Sequence, residues 1–299
     1  MAPLPGQRMA AVDIGTNSCR LLIADTKGQS ITPILATLRT TRIGEGVEES
    51  GLLGEVPMER TIAALQEHLE LIREYEVAHL RVVATSAVRE AANAAFFVVL
   101  VREMTGITVD VISGTEEARL NYTGACGAVD FKGTSVVIDI GGGSTEFTFP
   151  LQESGVSALS CCSIPLGAVR LTEQPRLLSE IIGPMKDVLD KIKGLPHLNL
   201  VGVGGTITTL AAVDQGLQIY DPECIQGYFL SKEAVERIML SLAVKDSEER
   251  KKVPGLPPER ADIIIAGTTI LWSALAYLGA QEITVSEADL LHGMILEMI

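Results

Sequence analysis

The amino-acid sequence predicts a fold of the α/β (α+β) class that is built from two similar domains. The length of 299 residues is sufficient for two domains of ordinary size. The segment AAVDIGTNSCRLLIAD at 10–25 recurs as VVIDIGGGSTEFTFPL at 136–151, with a constant offset of 126 positions. In each half, short apolar runs also alternate with longer stretches whose apolar residues recur at helical spacing. This alternation favours the α/β or α+β class in each half.

The first half is predicted to open with a β-hairpin, because two apolar runs flank a turn rich in Gly, Asn, Thr and Ser. Further apolar runs bounded by polar turns give three more strands, and apolar residues at helical spacing give the helices. The predicted strands cover 10–15, 18–26, 31–39, 80–84 and 108–112, and the predicted helical segments cover 57–75, 86–104 and 115–127.

The second half is predicted to begin with the same kind of hairpin. Strands are predicted at 134–140, 145–150, 156–164, 198–203 and 282–286, and helices at 177–193, 204–213, 231–243, 258–279 and 288–298. The segment CGAVDFKG at 126–133 has the composition of a loop and separates the two halves. We therefore predict one domain at 1–126 and another at 127–299.

Composition argues against several classes of function. A net charge of −14 argues against a nucleic-acid partner, because proteins that bind nucleic acids usually carry a basic face. The longest apolar runs, at 94–101 and 270–280, are too short to span a bilayer, so no membrane association is expected. The five cysteines include no CxxC pair, and no signal peptide is evident. These features predict a reduced protein of the cytoplasm.

The turn of the second hairpin has the composition of a phosphate-binding loop. Glycines at Gly141, Gly142 and Gly143 leave backbone N–H groups accessible to an anion, and Ser144 and Thr145 could add hydroxyl donors. A tight hairpin that merely requires positive φ is the alternative.

Two carboxylates flank this turn. Asp139 precedes it and Glu146 follows it, and hard carboxylate oxygens beside phosphates suit Mg²⁺. The alternative is that Asp139 hydrogen-bonds to the backbone of its own turn.

Two further turns resemble the second one. The first hairpin retains a carboxylate at Asp13 but offers Asn17 and Arg20 in place of the extra glycines and the second carboxylate. The two hairpins could grip a polyphosphate from both sides. The sequence VGVGGTITTL at 201–210 follows a strand and opens a helix, where Gly204, Gly205 and Thr206 could hold an anion. Alternatively, Thr206 merely caps that helix.

A pair of adjacent carboxylates, Glu116 and Glu117, opens a helix in VISGTEEARLNYTG at 111–124. Taken alone, these residues are typical of the first helical turn, where negative charge is favourable. The sequence contains no GxxxxGK[ST], GxGxxG or HExxH motif, which argues against P-loop ATPases, Rossmann dehydrogenases and zinc proteases.

Taken together, these motifs resemble those of a known superfamily. The two DIG hairpins and the GG-T turn are similar to those of the sugar kinase–Hsp70–actin superfamily. A narrower resemblance is carried by five motifs. In chain order they are AVDIGTNSCRLLI, ATSAVREA (84–91), ISGTEEARL (112–120), VVIDIGGGSTEF and VGGTITTLAA. These motifs, in this order, resemble those of the exopolyphosphatase and guanosine pentaphosphate phosphohydrolase (Ppx/GppA) family over essentially the whole chain.

The resemblance implies two ribonuclease H-like (actin-like ATPase) domains with a cleft between them. It also implies release of the terminal phosphate of inorganic polyphosphate or of the 5′ γ-phosphate of guanosine pentaphosphate, with a divalent cation such as Mg²⁺. A non-catalytic sensor of guanosine tetraphosphate or pentaphosphate and a small-molecule kinase of the superfamily are the alternatives. The resemblance is to the short, two-domain form of the family, without the C-terminal helical extension expected in many members, and a homodimer is left open.

The resemblance also assigns roles to residues. Glu117 is the expected catalytic residue, which orients water or acts as general base. The expected phosphate-binding residues are Asn17, Arg89, Gly141, Gly142, Gly143, Ser144 and Thr145. The expected nucleotide-binding residues are Arg20, Gly204, Gly205 and Thr206. The expected metal ligands are Asp139, Glu146 and Asp13.

Overall fold

The computed structural model describes residues 6–128, 134–151 and 158–299. This part of the chain forms two mixed β-sheets with helices, so the predicted α/β class is confirmed. Contacts divide the chain into two compact units, which are described separately below. Unit 1 comprises Met1–Gly124 together with Leu290–Ile299, and unit 2 comprises Ala125–Asp289.

Unit 1 contains a five-stranded sheet in the order β3-β2-β1-β4-β5. β1, β2 and β3 form an antiparallel meander, whereas β4 and β5 continue parallel to β1. Its strands are β1 (Gln7–Ile14), β2 (Cys19–Lys27), β3 (Ser30–Arg39), β4 (His79–Ala84) and β5 (Asp110–Val111). Its helices are α1 (Val47–Ser50), α2 (Glu55–Glu74), α3 (Ser86–Glu90), α4 (Ala94–Thr105), α5 (Gly114–Ala128, the last turn lying beyond the unit boundary) and, at the end of the chain, α13 (Leu290–Met298).

Unit 2 contains a six-stranded sheet in the order β10-β11-β9-β6-β7-β8. Its strands are β6 (Thr134–Ile140), β7 (Thr145–Pro150), β8 (Leu159–Ile164), β9 (Leu198–Val203), β10 (Phe229–Ser231) and β11 (Glu282–Val285). Its helices are α6 (Ala168–Glu173), α7 (Leu178–Lys193), α8 (Gly204–Gln215), α9 (Pro222–Ile225), α10 (Lys232–Ala243), α11 (Ser247–Arg250) and α12 (Ile264–Leu278). Residues 126–133 and 156–164 were predicted to be a loop and a strand, and parts of both segments lie outside the described residues.

The two sheets share one strand order. In each, the third, second and first strands form an antiparallel meander, and the fourth and fifth strands follow in parallel beside the first. The repeat that is visible in the sequence is therefore a repeat of a whole sheet. β10 is an additional strand, which pairs antiparallel with β11.

Parallel strands place their carboxyl ends at one edge of a sheet, which is where ligands bind in open α/β sheets. In unit 1 this edge is formed by the ends of β1, β4 and β5. Backbone hydrogen bonds join these ends, from Thr85 N–H to Ile14 O (3.2 Å) and from Ile112 N–H to Ala84 O (3.1 Å). The first hairpin turn, α3 and the start of α5 all follow from this edge.

The structure differs from the prediction where side chains interrupt a periodic pattern. The predicted segment 86–104 is two helices, because the side chain of Asn93 bonds to the backbone N–H and C=O of Leu53 (2.8 and 2.9 Å). The predicted helix 258–279 begins at Ile264, after a 3₁₀ turn at Pro258–Arg260. The short elements α1, α6, α9, β10 and α11 were not predicted, since they span only three to six residues each.

The last helix also groups differently from the sequence division, which assigned 127–299 to one domain. The apolar face of α13 packs under the sheet of unit 1, in a cluster with Met9, Leu22 and Leu120. Within the described ranges, no helix combines the length and the apolar character that crossing a bilayer requires.

A buried histidine on α2 leads to a prediction about acid stability. Burial, and secondarily the charge of Arg39, lowers the pKa of His68 to about 4. The unfolded chain, with an ordinary pKa of about 6.5, therefore binds a proton that the folded chain does not, so stability falls between about pH 6.5 and about pH 4 and then levels off. We expect a loss of about 2 kcal/mol in the free energy of unfolding between about pH 6.5 and about pH 5.

Urea denaturation across this pH range measures the effect, and a His68→Leu variant is the control because it lacks the titrating group. The wild-type chain should lose more stability than the variant as the pH falls. If the free energy of unfolding fell equally with pH in the two proteins, the buried imidazole of His68 would not be the cause of the acid destabilisation.

Candidate active site

The buried carboxylate of Glu117 is the central feature of the carboxyl edge of unit 1. Glu117 lies in the first turn of α5 and is only 7% exposed. Its Oε2 accepts a hydrogen bond from Nη1 of Arg89 (2.9 Å), and the same Nη1 donates to the carbonyl of Ile112 (3.1 Å). The structure therefore brings together two residues that the sequence analysis singled out separately.

Arg89 retains donors for a ligand. The side chain is about one-fifth exposed, and its Nε and Nη2 donate to no described residue. A guanidinium suits phosphate oxygens because its N–H groups form a planar fork. One Arg89 side chain can therefore fix the Glu117 carboxylate and still bind an anion.

Its neighbour, Glu116, points to a different partner. The Oε1 of Glu116 accepts a hydrogen bond from Nη2 of Arg81 (2.9 Å), and Arg81 also pairs with Glu297 of α13 (2.9 Å). Successive helical residues point about 100° apart, so only one of two adjacent carboxylates can face the carboxyl edge. The structure assigns that place to Glu117.

The first hairpin turn holds its carbonyl groups away from a ligand. The carbonyl oxygens of Thr16 and Asn17 accept hydrogen bonds from the backbone N–H groups of Gly44 (3.0 Å) and Arg42 (2.9 Å). No described residue accepts a hydrogen bond from the N–H groups of Thr16 and Asn17. Asn17 is buried, and its Oδ1 accepts a hydrogen bond from no described residue.

The glycine turn of the second hairpin is anchored in the same way. The carbonyl oxygens of Gly142 and Gly143 accept hydrogen bonds from the N–H of Val169 (2.8 Å) and from Nε of Arg170 (2.9 Å). A side chain at Gly167 would place its Cβ 2.4 Å from the oxygen of Gly142, so this close approach requires glycine.

The donors of this turn are available as well. No described residue accepts a hydrogen bond from the N–H groups of Gly142 and Gly143, and the hydroxyl of Ser144 has no partner among the described residues. Successive backbone N–H groups of this kind form a concavity that binds anions. The predicted role of these residues is therefore chemically feasible.

Thr145 has a structural contact that the sequence could not show. This residue is fully buried, and its hydroxyl donates to the carbonyl of Leu166 (2.5 Å). The side chain thus fastens the turn to the segment that precedes α6. Phosphate binding by Thr145 stays a prediction.

The first hairpin pairs a carboxylate with a guanidinium beside its turn, whereas the second pairs two carboxylates. Asp13 and Arg20 lie directly opposite each other in the β1–β2 ladder, and Oδ2 of Asp13 accepts from Nη2 (2.7 Å) and Nε (3.0 Å) of Arg20. The equivalent pair in the β6–β7 ladder is Asp139 and Glu146. Two like charges directly opposite each other are destabilising, so a cation near the second pair would be favourable.

Glu146 is held in place by a neighbouring strand. It is only 1% exposed, and its Oε1 accepts a hydrogen bond from the hydroxyl of Ser163 on β8 (2.5 Å). A buried carboxylate is costly unless hydrogen bonds or a cation compensate for the lost water. The carboxylate oxygens of Asp139 and Glu146 are of the chemical type that fits a Mg²⁺ site formed by two carboxylates together with phosphates.

Asp13 is a weaker candidate for a metal ligand, because its carboxylate already forms the ion pair with Arg20. Within the described residues, no group of three or more His, Cys, Asp or Glu side chains lies close enough to hold a metal ion. The predicted ligation by Asp139, Glu146 and Asp13 stays a prediction.

The N-terminus of α8 lies against one of these carboxylates. Gly204 has φ of +85°, and a Cβ at this position would lie 2.2 Å from Oδ1 of Asp139. α8 has no side-chain cap, so the alternative role of Thr206 as a cap is wrong. Thr206 is buried where α12 approaches at Gly267, and its role in nucleotide binding stays a prediction.

Arg260 is a candidate anion-binding residue that the sequence does not reveal. Its guanidinium lies against Gly205, with three atoms within 2.4 Å of the position that a Cβ there would take. The residues are 55 positions apart in the sequence, and Arg260 follows an irregular proline-containing segment. The sequence carries no local signal for this contact.

Comparisons with known proteins identify the family to which the chain belongs. The profile of the Ppx/GppA phosphatase family matches residues 22–299. Exopolyphosphatase 2 of Mycobacterium tuberculosis is 32% identical over 97% of this chain and 98% of its own length. A bifunctional 3-dehydroquinate synthase/phosphatase of Fusobacterium nucleatum is 36% identical over 96% of this chain, which spans 46% of that longer protein.

The chain is also similar to a longer pyrophosphatase and to a protein of known crystal structure. The guanosine-5′-triphosphate,3′-diphosphate pyrophosphatase of Vibrio vulnificus is 27% identical over 97% of this chain, which spans 59% of its length. The crystal structure of the Ppx/GppA family member of Aquifex aeolicus is similar to this chain with a TM-score of 0.80, at 33% identity over 98% of both chains.

Proposed function

This chain belongs to the Ppx/GppA phosphatase family, and we propose that it is a phosphoanhydride hydrolase that acts on inorganic polyphosphate, guanosine pentaphosphate or both. The proposed reaction releases the terminal phosphate of the chain or the 5′ γ-phosphate of the nucleotide. The observation that carries this proposal is the buried Glu117–Arg89 pair at the carboxyl edge of the unit 1 sheet, because a carboxylate there lies beside a guanidinium, a group suited to phosphate oxygens.

Glu117 is proposed to orient the attacking water and to accept its proton. Phosphoryl transfer needs little covalent help from the protein, so positioning and charge compensation dominate its catalysis. Arg89 fixes one carboxylate oxygen of Glu117 and offers its remaining N–H groups to the phosphate. The turn N–H groups at Gly142 and Gly143 offer further donors for phosphate oxygens.

Mg²⁺ is the proposed cofactor, held by Asp139 and Glu146. When bound, a divalent cation neutralises negative charge on phosphate oxygens. The facing carboxylates support this assignment, because the first copy of the hairpin carries the guanidinium of Arg20 where the second carries Glu146. Ser163 orients Glu146 through its hydrogen bond.

The proposed activity is tested by measuring phosphate release from long polyphosphate and from guanosine pentaphosphate, each with Mg²⁺ and with a chelator. We expect release in the presence of Mg²⁺ without any acceptor alcohol or ATP. Transfer of the terminal phosphoryl group to an added acceptor alcohol, with formation of a phosphate ester and no release of free phosphate, would support a kinase. Tight nucleotide binding without release from either substrate would support a non-catalytic sensor.

The ion pair between Arg20 and Asp13 leads to a prediction about substrate preference. If Arg20 contacts guanosine pentaphosphate, Arg20→Ala should lower kcat/KM for this nucleotide about tenfold more than for polyphosphate, since one charge-assisted hydrogen bond contributes about 1.5–3 kcal/mol. The measurement is a comparison of kcat/KM for both substrates.

Arg20→Ala alone also leaves the buried Asp13 without its cation, which could damage the site for any substrate. The double variant Arg20→Ala/Asp13→Ala is the control, because it removes both charges. Equal losses on the two substrates in both variants would contradict a nucleotide-specific role for Arg20.

A further inference from the structure

The four edges of the two sheets are not equally protected against pairing with another strand. Natural proteins protect edges with short strands, prolines, bulges or charges. The edge strand β3 contains Pro33 and is bulged against β2 between Ile23 and Ala24. The edge strands β5 and β10 are only two and three residues long.

β8 is the exception among the described strands. It has six residues, Leu159–Ile164, with the sequence LSCCSI, which contains no charged residue and no proline. Its ladder with β7 is regular over all six pairs. Over its described residues, β8 therefore lacks the charge, the proline and the bulge that would prevent a further strand from pairing.

The register shows which backbone groups of β8 face outward. The N–H of Leu151 donates to the carbonyl of Ala158 (2.8 Å), which makes residues 151 and 158 a hydrogen-bonded pair. Such pairs alternate along an antiparallel ladder, so residues 160 and 162 also point their backbone groups to β7. The backbone groups of Leu159 and Ser163 consequently point away from β7.

The helix beside this edge presents two opposite charges. A groove of about 370 Å³ lies between β8 and α7, and Asp187 and Lys191 line its helical wall. Both side chains are exposed, and neither forms an ion pair with a described residue. By contrast, Lys186 and Asp190 on the same helix pair with each other at 2.5 Å.

We propose that β8 is the contact surface of a two-fold symmetric homodimer in which the β8 strands of two copies pair antiparallel. A two-fold axis at Cys161 gives full overlap of residues 158–164, and it places the outward groups of Leu159 opposite those of Ser163 in the second copy. The paired strands join the two unit 2 sheets into one continuous sheet.

The observations favour a second copy over a different partner because the surface is complementary to itself. A two-fold rotation reverses the order of Asp187 and Lys191, so each Lys191 meets Asp187 of the second copy. The strand itself carries no charge, so two chains of net charge −14 can approach each other there without local repulsion.

Sedimentation velocity on the full chain over a concentration series tests the proposal. The wild-type chain should form a dimer. Lys191→Asp and Asp187→Lys should each weaken the dimer about tenfold or more, since each change turns two attractive contacts into repulsive ones. The double variant Asp187→Lys/Lys191→Asp restores both pairs and should dimerise like the wild type.

Leu159→Pro tests the strand pairing itself. Proline removes an N–H that points away from β7, so the β7–β8 ladder should survive and circular dichroism should match the wild type. The dimer should be lost. A wild-type chain that stays monomeric at every concentration, or a dimer that neither charge reversal nor Leu159→Pro weakens, would overturn the proposal.

Discussion

Replacing Glu117 with Gln is expected to abolish phosphate release while substrate binding is retained. Gln cannot accept a proton from water, and positioned general bases contribute about 10²–10⁴-fold to rate, so kcat should fall about a thousandfold. The amide oxygen of Gln can still accept the hydrogen bond from Arg89, which preserves the local fold. Single-turnover phosphate release gives the chemical rate, and calorimetry with polyphosphate gives the affinity.

Glu116→Gln is the matched control for this variant. Glu116 precedes Glu117 on the same helical turn, but its carboxylate pairs with Arg81 and not with Arg89. Its loss should leave kcat within about threefold of the wild type, because it removes only one partly buried ion pair and Arg81 keeps its pair with Glu297. If Glu117→Gln also kept a turnover in that range, the assignment of Glu117 as the catalytic carboxylate would be wrong.

Glu116 and Glu117 show which part of the site can be predicted from the sequence. The sequence places both carboxylates in the first turn of α5, and the structure confirms that they lie there. Only the resemblance to the family singled out Glu117. The residues alone could not do so, because the choice depends on how α5 rests on the sheet, and Arg81, Arg89 and α13 determine that through contacts distant in sequence.

The sequence contains a weak signal for the contacts that anchor the two hairpin turns. Gly44 and Gly167 each follow the third strand of their unit and contact the hairpin turn, so the repeat extends beyond the hairpin. The hairpin copies align without a gap over sixteen positions and are identical at four of them, whereas around Gly44 and Gly167 only an apolar residue followed by glycine is shared. Arg260 had no such signal, because a single contact between residues 55 positions apart leaves no periodic pattern.

Gly204→Ala is expected to weaken both Mg²⁺ binding and catalysis, since the added Cβ would lie 2.2 Å from Oδ1 of Asp139. The carboxylate must move to relieve this overlap. Displacing a group that orients a metal site typically costs about 10–100-fold in metal affinity or activity. Calorimetric titration with Mg²⁺ measures affinity directly, and the Mg²⁺ dependence of phosphate release measures the effect on turnover.

The positive φ of Gly204 confounds this variant, because alanine is strained there whatever its neighbours are. Gly216→Ala separates the two effects. Gly216 terminates the same helix with φ of +64°, and a Cβ there would contact nothing within 4 Å. Both variants should therefore lose about 1–2 kcal/mol of stability in urea denaturation, whereas only Gly204→Ala should lose Mg²⁺ affinity. Similar Mg²⁺ affinities in the two variants would mean that the position of the Asp139 carboxylate does not govern the metal site.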